Sequence, residues 1–397
     1  MTEMPTQPSP ADTTTPAPPS SPPPTPPPPT DAQRDLTAGE ALDFTPRSGV
    51  GLCLSGGGYR AMVFHLGSLR RLNETGWLSK LTRVSSVSGG SIMAGVLALG
   101  WKHLTFDANG IATNFAEVIE APVMAFATHT VDVPAVLLGP FSGGVGKRVA
   151  AAYDKHLFHG ATLQDLPARG QGPYFIILAT NLSNAKLWRF TRNYMRDWKT
   201  PPVNNPTLAL SMAVAASSAF PPVLSPVRLT LPTGQTITLT DGGVFDNLGL
   251  EPVLKNCATV FVSDGGGAFK EMAKPRTDWL LGTIRVLNSI MAQVGSLRHH
   301  QVAGALASGR RKGGLWTGHT PPSEYKGSWA STMPIPDAVA ADIAATPTRL
   351  AHMDDATRSR VANFGYAITD ATLRAYVDHD LAEPSGFPFP GGVGGAL

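Results

Sequence analysis

The sequence has few cysteines and little net charge, and each shortage excludes a class of protein. Only two cysteines, Cys53 and Cys257, occur in 397 residues, and each lies in an apolar run typical of a strand. We therefore expect two buried free thiols. A disulfide framework or a zinc site is not expected, because no cysteine and histidine cluster has the spacing of zinc ligands. The formal net charge of +3 does not favour nucleic-acid binding.

Long apolar runs are also missing. The run from Ile92 to Trp101 is about half of the roughly 20 residues needed to span a bilayer, and it is predicted to begin a helix. The N-terminus, Met1 to Pro5, lacks the basic start and apolar stretch of a secretory signal peptide. These features predict a cytoplasmic protein peripheral to membranes, with signal-less secretion left open.

Composition divides the chain into three parts. Residues 1–45 are dominated by Pro, Thr, Ser and Ala and are predicted to be a disordered arm. This arm is either a solvated tail, a spacer or a ligand for domains that bind Pro-rich segments. Residues 46–383 are predicted to form one folded domain. Residues 384–397 are rich in Gly and Pro and are predicted to be a flexible tail.

Strand-like and helix-like segments alternate within residues 46–383. Short apolar runs such as Val50–Leu54 and Val84–Val87 are each followed by a segment with helical spacing of apolar residues. A longer helix is predicted over Trp279–Leu306. The alternation favours an α/β fold with a largely parallel central sheet. The hydrophobic content of 42% is enough for a sizeable core.

A serine is predicted to lie on a tight turn between a strand and a helix. Ser88 follows an apolar strand-like run and precedes a predicted helix. Such a turn holds a nucleophile clear of the sheet and needs small residues two positions before and after it, which here are Ser86 and Gly90. The usual residue two positions before the nucleophile is Gly, so Ser86 departs from the pattern. Ser91 is a rival nucleophile, although it falls inside the first helical turn.

Three consecutive glycines lie between another predicted strand and helix. Gly56, Gly57 and Gly58 can present backbone N–H groups to the negative oxygen that forms when a serine attacks an acyl carbonyl. Arg60 falls in the first turn of the following helix, where it can orient the loop or add positive potential. A nucleotide-binding loop is the alternative, but the segment lacks both a Gly-Lys-Ser/Thr ending and the spacing of a dinucleotide fingerprint.

A carboxylate that can act as a base ends a third strand-like run. Asp241 is followed by Gly242 and Gly243, which leave room for a serine or a substrate to approach. A carboxylate hydrogen-bonded to the serine can accept its proton, and a partly dry site that raises the carboxylate pKa would help. A second Asp-Gly-Gly begins at Asp264, which is therefore a competing base. The histidines after Asp241, including His299, are expected to be surface or packing residues.

Taken together, these motifs resemble the patatin-like phospholipase family. The resemblance extends over roughly Val50 to Trp316 and includes two further runs, Ala215–Pro222 and Asp241–Asn247. Two positions depart from the family pattern, Ser86 and Ala61, and neither removes a catalytic group. The resemblance implies a three-layer α/β/α fold with a mainly parallel central sheet, and it makes residues 46–383 a catalytic domain.

The resemblance also implies a serine carboxylic-ester hydrolase of the phospholipase A or lysophospholipase type. Its catalytic groups would be a dyad of Ser88 and Asp241, with an oxyanion hole formed by Gly56, Gly57 and Gly58 beside Arg60. No cofactor or metal is implied, so activity is expected to be independent of calcium. The alternatives are a serine esterase, a triacylglycerol lipase or an acyltransferase on other lipids, and an adaptor that uses the Pro-rich arm.

The expected partners are a phospholipid or other acyl lipid and a membrane surface contacted peripherally, with a protein partner or activator left open. Two segments are candidates for lipid contact. Residues Glu117–Val145 are apolar and are either a mobile cap or ordinary core. Residues Lys186–Lys199 interleave basic and aromatic side chains, which suits either a membrane interface or a solvated hairpin.

Overall fold

One mixed sheet organises the chain. The computed structural model describes residues 48–132, 144–221, 224–269, 271–275, 278–325, 333 and 335–394. The predicted arm, residues 1–45, lies outside the described residues. Ten strands of the described part form the sheet: β1 Val50–Leu54, β2 Leu81–Val87, β3 Tyr174–Asn181, β4 Lys186–Phe190, β5 Tyr194–Arg196, β6 Val203–Asn204, β7 Val227–Thr230, β8 Thr236–Asp241, β9 Thr259–Asp264 and β10 Lys312–Thr317.

Helices connect most of these strands. In chain order they are α1 Gly58–Glu74, α2 Gly89–Gly100, α3 Ala121–Phe126, α4 Val145–Tyr153, α5 Leu210–Ser217, α6 Gly243–Asp246, α7 Glu251–Leu254, α8 Trp279–Ala307, α9 Asp337–Ala345 and α10 Asp355–Tyr376. Short 3-10 turns occur at Trp101–His103, Leu163–Asp165 and Pro322–Glu324, and π turns at Ala116–Glu120 and Asp154–Phe158. None of the described helices is long and apolar enough to cross a bilayer.

The centre of the sheet is parallel and one side of it is antiparallel. Strands β10, β9, β1, β2 and β3 pair in this order, all in parallel. Beyond β3 the sheet continues through β4, β5 and β6 as an antiparallel meander. The hairpin of β7 and β8 also joins β3 in antiparallel fashion. A central parallel sheet with an antiparallel extension is common in large α/β folds.

Helices cover both faces of the parallel strands. In β1, Leu52 and Leu54 contribute to the core cluster that contains α1, α2 and α10. Cys53 faces the opposite side, where Val253 of α7 and Val302 of α8 pack against it. This arrangement confirms the predicted three-layer fold. The predicted burial of both cysteines is also confirmed, and neither forms a disulfide bond.

The C-terminal segment lies against α10. The Asn363 side-chain amide donates hydrogen bonds of 2.8 Å to the carbonyls of Phe389 and Gly392, and Val393 joins the main core cluster. These contacts hold residues 389–393 on the helix. The division into arm, domain and tail stays a prediction.

Two glycines allow α1 and α10 to cross closely. A Cβ at Gly67 would lie 1.8 Å from the Ala362 carbonyl oxygen, and a Cβ at Gly365 would lie 2.1 Å from that of Phe64. Both neighbours are helix backbone, which cannot yield by a rotamer change. The crossing therefore requires glycine at both positions.

We predict that Gly67→Ala lowers the free energy of unfolding by about 2 kcal/mol or more, because the helices must separate. Urea denaturation followed by circular dichroism measures this change. The control is Gly304→Ala in α8, where an added Cβ meets nothing within 4 Å. This control should raise stability by up to about 1 kcal/mol through helix propensity. Equal effects of the two substitutions would contradict the packing account.

Candidate active site

The ends of two strands meet at one point along β3. Strand β2 runs parallel to β3 and pairs as far as Val87 with Leu178. Strand β8 approaches from the opposite direction and ends with Asp241 paired to Ala179. Leu178 and Ala179 are consecutive, so the two strand ends lie about 3.3 Å apart along β3. The residue after Val87 is Ser88, and this register brings it beside Asp241.

Ser88 adopts a backbone conformation that residues other than glycine rarely take. Its φ is 51° and its ψ is −118°, between the end of β2 and the start of α2. A non-glycine residue in this region is strained and needs support from its surroundings. The Ser88 N–H donates to the Ser217 hydroxyl at 2.9 Å, and the Gly90 N–H donates to the Ser55 carbonyl at 3.0 Å. These bonds hold the tight turn that the sequence predicted.

A chain of buried hydroxyls supports the turn from beneath. The Ser217 hydroxyl contacts that of Ser91 at 2.9 Å, and the Ser91 hydroxyl donates to that of Ser86 at 3.0 Å. Ser86 therefore replaces the usual glycine with a hydrogen-bonding partner. Ser91 is fully buried and engaged at both ends of this chain, which argues against it as the nucleophile. The sequence did not assign a role to Ser217.

The carboxyl group of Asp241 is buried beside Ser88. The Gly243 N–H donates to its Oδ1 at 2.7 Å. Burial raises the pKa of Asp241 to about 7, and the Gly243 N–H and the nearby Ser88 hydroxyl oppose part of that rise. A carboxyl with such a pKa can exchange a proton near neutral pH.

Both glycines after Asp241 make close approaches, and the one at Gly242 is to backbone. A Cβ at Gly242 would lie 2.6 Å from the Leu178 carbonyl oxygen, and one at Gly243 would lie 2.6 Å from Oδ1 of Asn247. The same Asn247 oxygen would be 2.4 Å from a Cβ at Gly56. These close approaches let the turn after β8 pack against the loop after β1.

The glycine loop presents two free donors. The Gly56 N–H donates to the Asn247 carbonyl at 3.1 Å, and the Tyr59 N–H donates to the Arg349 carbonyl at 3.0 Å. Between them, the N–H groups of Gly57 and Gly58 have no acceptor among the described residues. Their φ angles of 148° and 62° require glycine. The predicted contribution of Gly56 as a donor is therefore wrong, because its N–H is already bonded.

Gly89 adds a donor that the sequence reasoning missed. It is the first residue of α2, and its N–H also has no acceptor among the described residues. An added Cβ at Gly89 would lie 2.1 Å from the Gly58 carbonyl oxygen, so the two glycine segments are in direct contact. The signal in the sequence is the position itself, since the residue after a nucleophilic serine commonly supplies such a donor.

Arg60 holds the surroundings of the loop together. Its Nε donates to the Gly265 carbonyl at 3.1 Å, and its Nη1 donates to the carbonyls of Ala344 and Thr346. Burial lowers the pKa of Arg60 to about 10, and the nearby Asp264 opposes this change. Of the two roles considered for Arg60, these bonds favour orientation of the loop.

Asp264, the competing base, lies on the far side of β1. Strand β1 separates β9, which ends at Asp264, from β2, so Asp264 and Ser88 are about 10 Å apart across two strand spacings. Asp264 Oδ2 accepts a hydrogen bond from His299 Nε2 at 2.9 Å, and its Oδ1 accepts one from the Gly266 N–H at 2.8 Å. His299 and these bonds hold the pKa of Asp264 well below its usual range.

The position of His299 corrects an expectation. The side chain was expected to be a surface or packing residue, but its bond to Asp264 raises its pKa, and its ring stacks on His319 with centroids 6.0 Å apart. The pairing joins α8 directly to the end of β9, and no local pattern in the sequence predicts it.

A cavity of about 890 Å³ connects these groups. It contains Ser88, Asp241 and the glycine loop at one end, and Asp264 and His299 along one wall. The remaining lining includes apolar side chains of Phe220, Leu224, Phe269, Met272 and Met291. A volume of this size is typical of sites that take a small molecule or a lipid chain.

The two candidate segments for lipid contact differ in burial. In Lys186–Lys199, the side chains of Trp188, Arg189 and Phe190 are fully buried, whereas Trp198 is exposed and lies against Lys186 and Lys199. The choice between a membrane interface and a solvated hairpin therefore stays a prediction. In Glu117–Val145, Val123 and Phe126 belong to the main core, which favours ordinary packing. Residues 133–143 of that segment lie outside the described residues.

The profile of the family described as patatin-like phospholipase matches residues 52–254, just over half of the chain. The chain belongs to the patatin-like phospholipase family. The match begins in β1 and ends with α7, so it includes Ser88, Asp241 and the glycine loop of this patatin-like chain. Asp264, His299 and the whole of α8 lie beyond it. The resemblance noted in the sequence is thereby confirmed.

A comparison with solved structures found similarity to proteins that include the following two. VipD from Legionella pneumophila is 17% identical, with a TM-score of 0.36, and the match covers 84% of this chain and 67% of VipD. Human GIVD cytosolic phospholipase A2 is 18% identical, with a TM-score of 0.31, and the match covers 48% of this patatin-like chain and 30% of the human chain. A comparison with curated proteins found no match.

The raised pKa of Asp241 predicts a dependence of stability on pH. The folded state keeps the proton up to about pH 7, whereas the unfolded chain releases it near 3.8. This group therefore lowers the free energy of unfolding as pH rises from about 4 to 7, by up to about 1.4 kcal/mol per pH unit. Asp241→Asn should remove this fall in the free energy of unfolding. The difference in free energy of unfolding between the variant and wild type should therefore favour the variant more at pH 8 than at pH 5.

Asp197→Asn provides the control. Asp197 is also buried, but hydrogen bonds from Asn184, Asn181 and Thr200 lower its pKa. Its stabilising contribution is present above the unfolded pKa, so this substitution should destabilise equally at pH 5 and pH 8. Thermal unfolding at the two pH values measures both variants. A constant difference for Asp241→Asn would contradict the raised pKa.

Proposed function

We propose that this protein is a lipid acyl hydrolase of the phospholipase A or lysophospholipase type that cleaves fatty-acyl esters. The observation that carries the proposal is the pairing of β2 and β8 with β3, which brings the Ser88 hydroxyl beside the buried carboxylate of Asp241. The free N–H groups of Gly57 and Gly58 belong to residues that line the same cavity, and Gly89 follows Ser88 directly. Family membership supports the same class of chemistry.

The first half of the reaction forms an acyl-enzyme. Ser88 Oγ attacks the acyl carbonyl carbon while its proton passes to Asp241, and the carbonyl oxygen gains negative charge. The free N–H groups of the glycine loop stabilise this oxyanion, each by about 3 kcal/mol in comparable sites. The bond from the carbonyl carbon to the alcohol oxygen then breaks. The leaving alcohol or lysolipid takes the proton from Asp241.

The second half releases the fatty acid. Water attacks the acyl carbon of the Ser88 ester, and Asp241 accepts the proton of the water. The oxyanion again lies against the glycine loop, and the bond to Ser88 Oγ breaks as the serine regains a proton from Asp241. Serine, carboxylate and backbone donors supply every group that these steps need, so the proposed mechanism uses no metal.

The cavity supports an acyl lipid as substrate. Phe220 and Leu224 line it together with the proposed dyad, and Met291 and Phe269 line it together with Asp264. Apolar walls beside the dyad suit a fatty-acyl chain, because burial of apolar surface contributes about 0.8 kcal/mol per CH₂ group. A phospholipid, a lysophospholipid and a short ester all contain the bond that this site would cleave, so they are compared directly in the test below.

We predict that Ser88→Ala and Asp241→Asn each lower fatty-acid release by about a thousandfold or more, since each removes a group that acts in the transition state. Release is measured from mixed phospholipid vesicles, lysophosphatidylcholine and short p-nitrophenyl esters. For wild type, kcat/KM should rise with pH through about 7, as Asp241 loses its proton and becomes able to act as a base.

Asp264→Asn is the matched control and should retain most of the activity. Loss of release in Asp264→Asn but not in Asp241→Asn would move the base to Asp264. Activity confined to p-nitrophenyl esters would favour the esterase alternative. Wild-type protein that releases no fatty acid from any of these substrates would contradict the proposed function.

A further inference from the structure

A single apolar stripe follows the outer face of α8. Its four side chains are highly exposed: Trp279 by 83%, Val286 by 59%, Ile290 by 56% and Leu297 by 67%. Their spacings of seven, four and seven residues place all four within about 40° of one another around a helix of 3.6 residues per turn. The stripe is about 27 Å long at 1.5 Å per residue. We call these four residues the α8 stripe.

The opposite face of the same helix is a wall of the active-site cavity. Asn288, Met291, Gly295 and His299 line the cavity, and helical geometry places them roughly 180° from the α8 stripe. The helix therefore separates the cavity from whatever lies against the stripe.

The first part of α8 is anchored weakly to the rest of the protein. Every described side chain from Leu281 to Gln301 is at least partly exposed. Burial begins at Val302 and Ala305, which pack with Cys53 and Val260. The stripe thus extends along a helix that is fixed at its C-terminal end and projects over the cavity.

Exposed apolar side chains are concentrated in this region. Among the described residues, ten large apolar side chains are exposed, and seven of them lie between Phe269 and Leu297. Two of the seven, Phe269 and Met272, also line the cavity. A concentrated apolar surface of this kind marks an interaction site, whereas scattered exposed residues do not.

The charges of α8 suit a lipid surface. The helix from Trp279 to Ala307 contains no Asp or Glu, and its charged residues are Arg285 and Arg298. The Arg285 guanidinium lies 3.9 Å from the ring centroid of Phe269. An apolar stripe on a helix without acidic residues is typical of helices that lie in the interface of a bilayer containing anionic lipid.

We infer that the α8 stripe docks on the surface of a lipid bilayer and holds the cavity against its substrate. This inference rests on the proposed lipid hydrolysis, because a bilayer on the stripe would bring acyl esters to the side of the helix that lines the cavity. The apolar side chains would enter the acyl boundary, and a helix without acidic residues would not repel anionic headgroups. A second copy of the chain is the competing occupant.

The test is vesicle binding by the full chain. Co-sedimentation with vesicles of phosphatidylcholine and phosphatidylglycerol is measured in a Ser88→Ala background, so that no lipid is consumed. The stripe variant carries Ile290→Gln and Leu297→Gln, which remove apolar surface without adding charge. The matched control carries Leu182→Gln and Tyr376→Gln, at two exposed apolar positions outside the helix.

We predict that the stripe variant binds vesicles about tenfold more weakly or worse, because two side chains lose their burial in lipid. The control variant should bind as tightly as its parent. With Ser88 restored, both variants should hydrolyse a soluble p-nitrophenyl ester within about twofold of wild type, since neither pair lines the cavity. Vesicle binding does not depend on turnover, so a failure of the proposed hydrolysis would be seen separately.

Several results would overturn the inference. One is equal vesicle binding by the stripe and control variants, and another is a parent protein that stays in the supernatant. Light scattering provides a third. If the parent protein is a dimer without lipid, and the stripe variant is a monomer while the control variant stays a dimer, the stripe binds a second copy of the chain. In that case vesicle binding would be unchanged in the stripe variant.

Discussion

The site depends on the meeting of β2 and β8 against one strand. Because β2 is parallel to β3 and β8 is antiparallel to it, their ends approach from opposite directions at Leu178 and Ala179. No loop has to be long or flexible to bring Ser88 to Asp241. The backbone ladder of β3 sets their separation, and a shift of one residue in either register would remove the contact. The hairpin of β7 and β8 therefore completes the candidate site, because it brings Asp241 to the end of β2.

Bringing these groups together has a cost in stability. Ser88 is held at positive φ, and the carboxyl of Asp241 is buried, which raises its pKa. The hydroxyl chain through Ser217 and the close approach of Gly242 to Leu178 compensate by fixing the geometry. Proteins commonly accept local strain of this kind where it prepares a reactive group. The same burial that weakens the fold near neutral pH makes Asp241 a stronger base than an exposed aspartate.

Local signals in the sequence were enough to predict the fold class and to single out Ser88 and Asp241, which the structure brings together. The strand before Ser88, the glycines before Arg60 and the Asp-Gly-Gly at Asp241 each depend on neighbouring residues only. What failed depended on tertiary contacts. The Gly56 N–H is bonded to the Asn247 carbonyl, His299 bonds to Asp264 from a distant part of the chain, and the aromatics of β4 are buried by the extension of the sheet. Spacing within one segment contains no information about such distant partners.

The central claim is that Asp241 activates Ser88 through a direct hydrogen bond. The most direct measurement is the rate of labelling by a fluorophosphonate probe as a function of pH, with the modified peptide identified by mass spectrometry. The account predicts one adduct, on Ser88, at a rate that rises through about pH 7 and is nearly abolished in Asp241→Asn. An adduct on another residue, or labelling of Ser88 at the wild-type rate in Asp241→Asn, would contradict it.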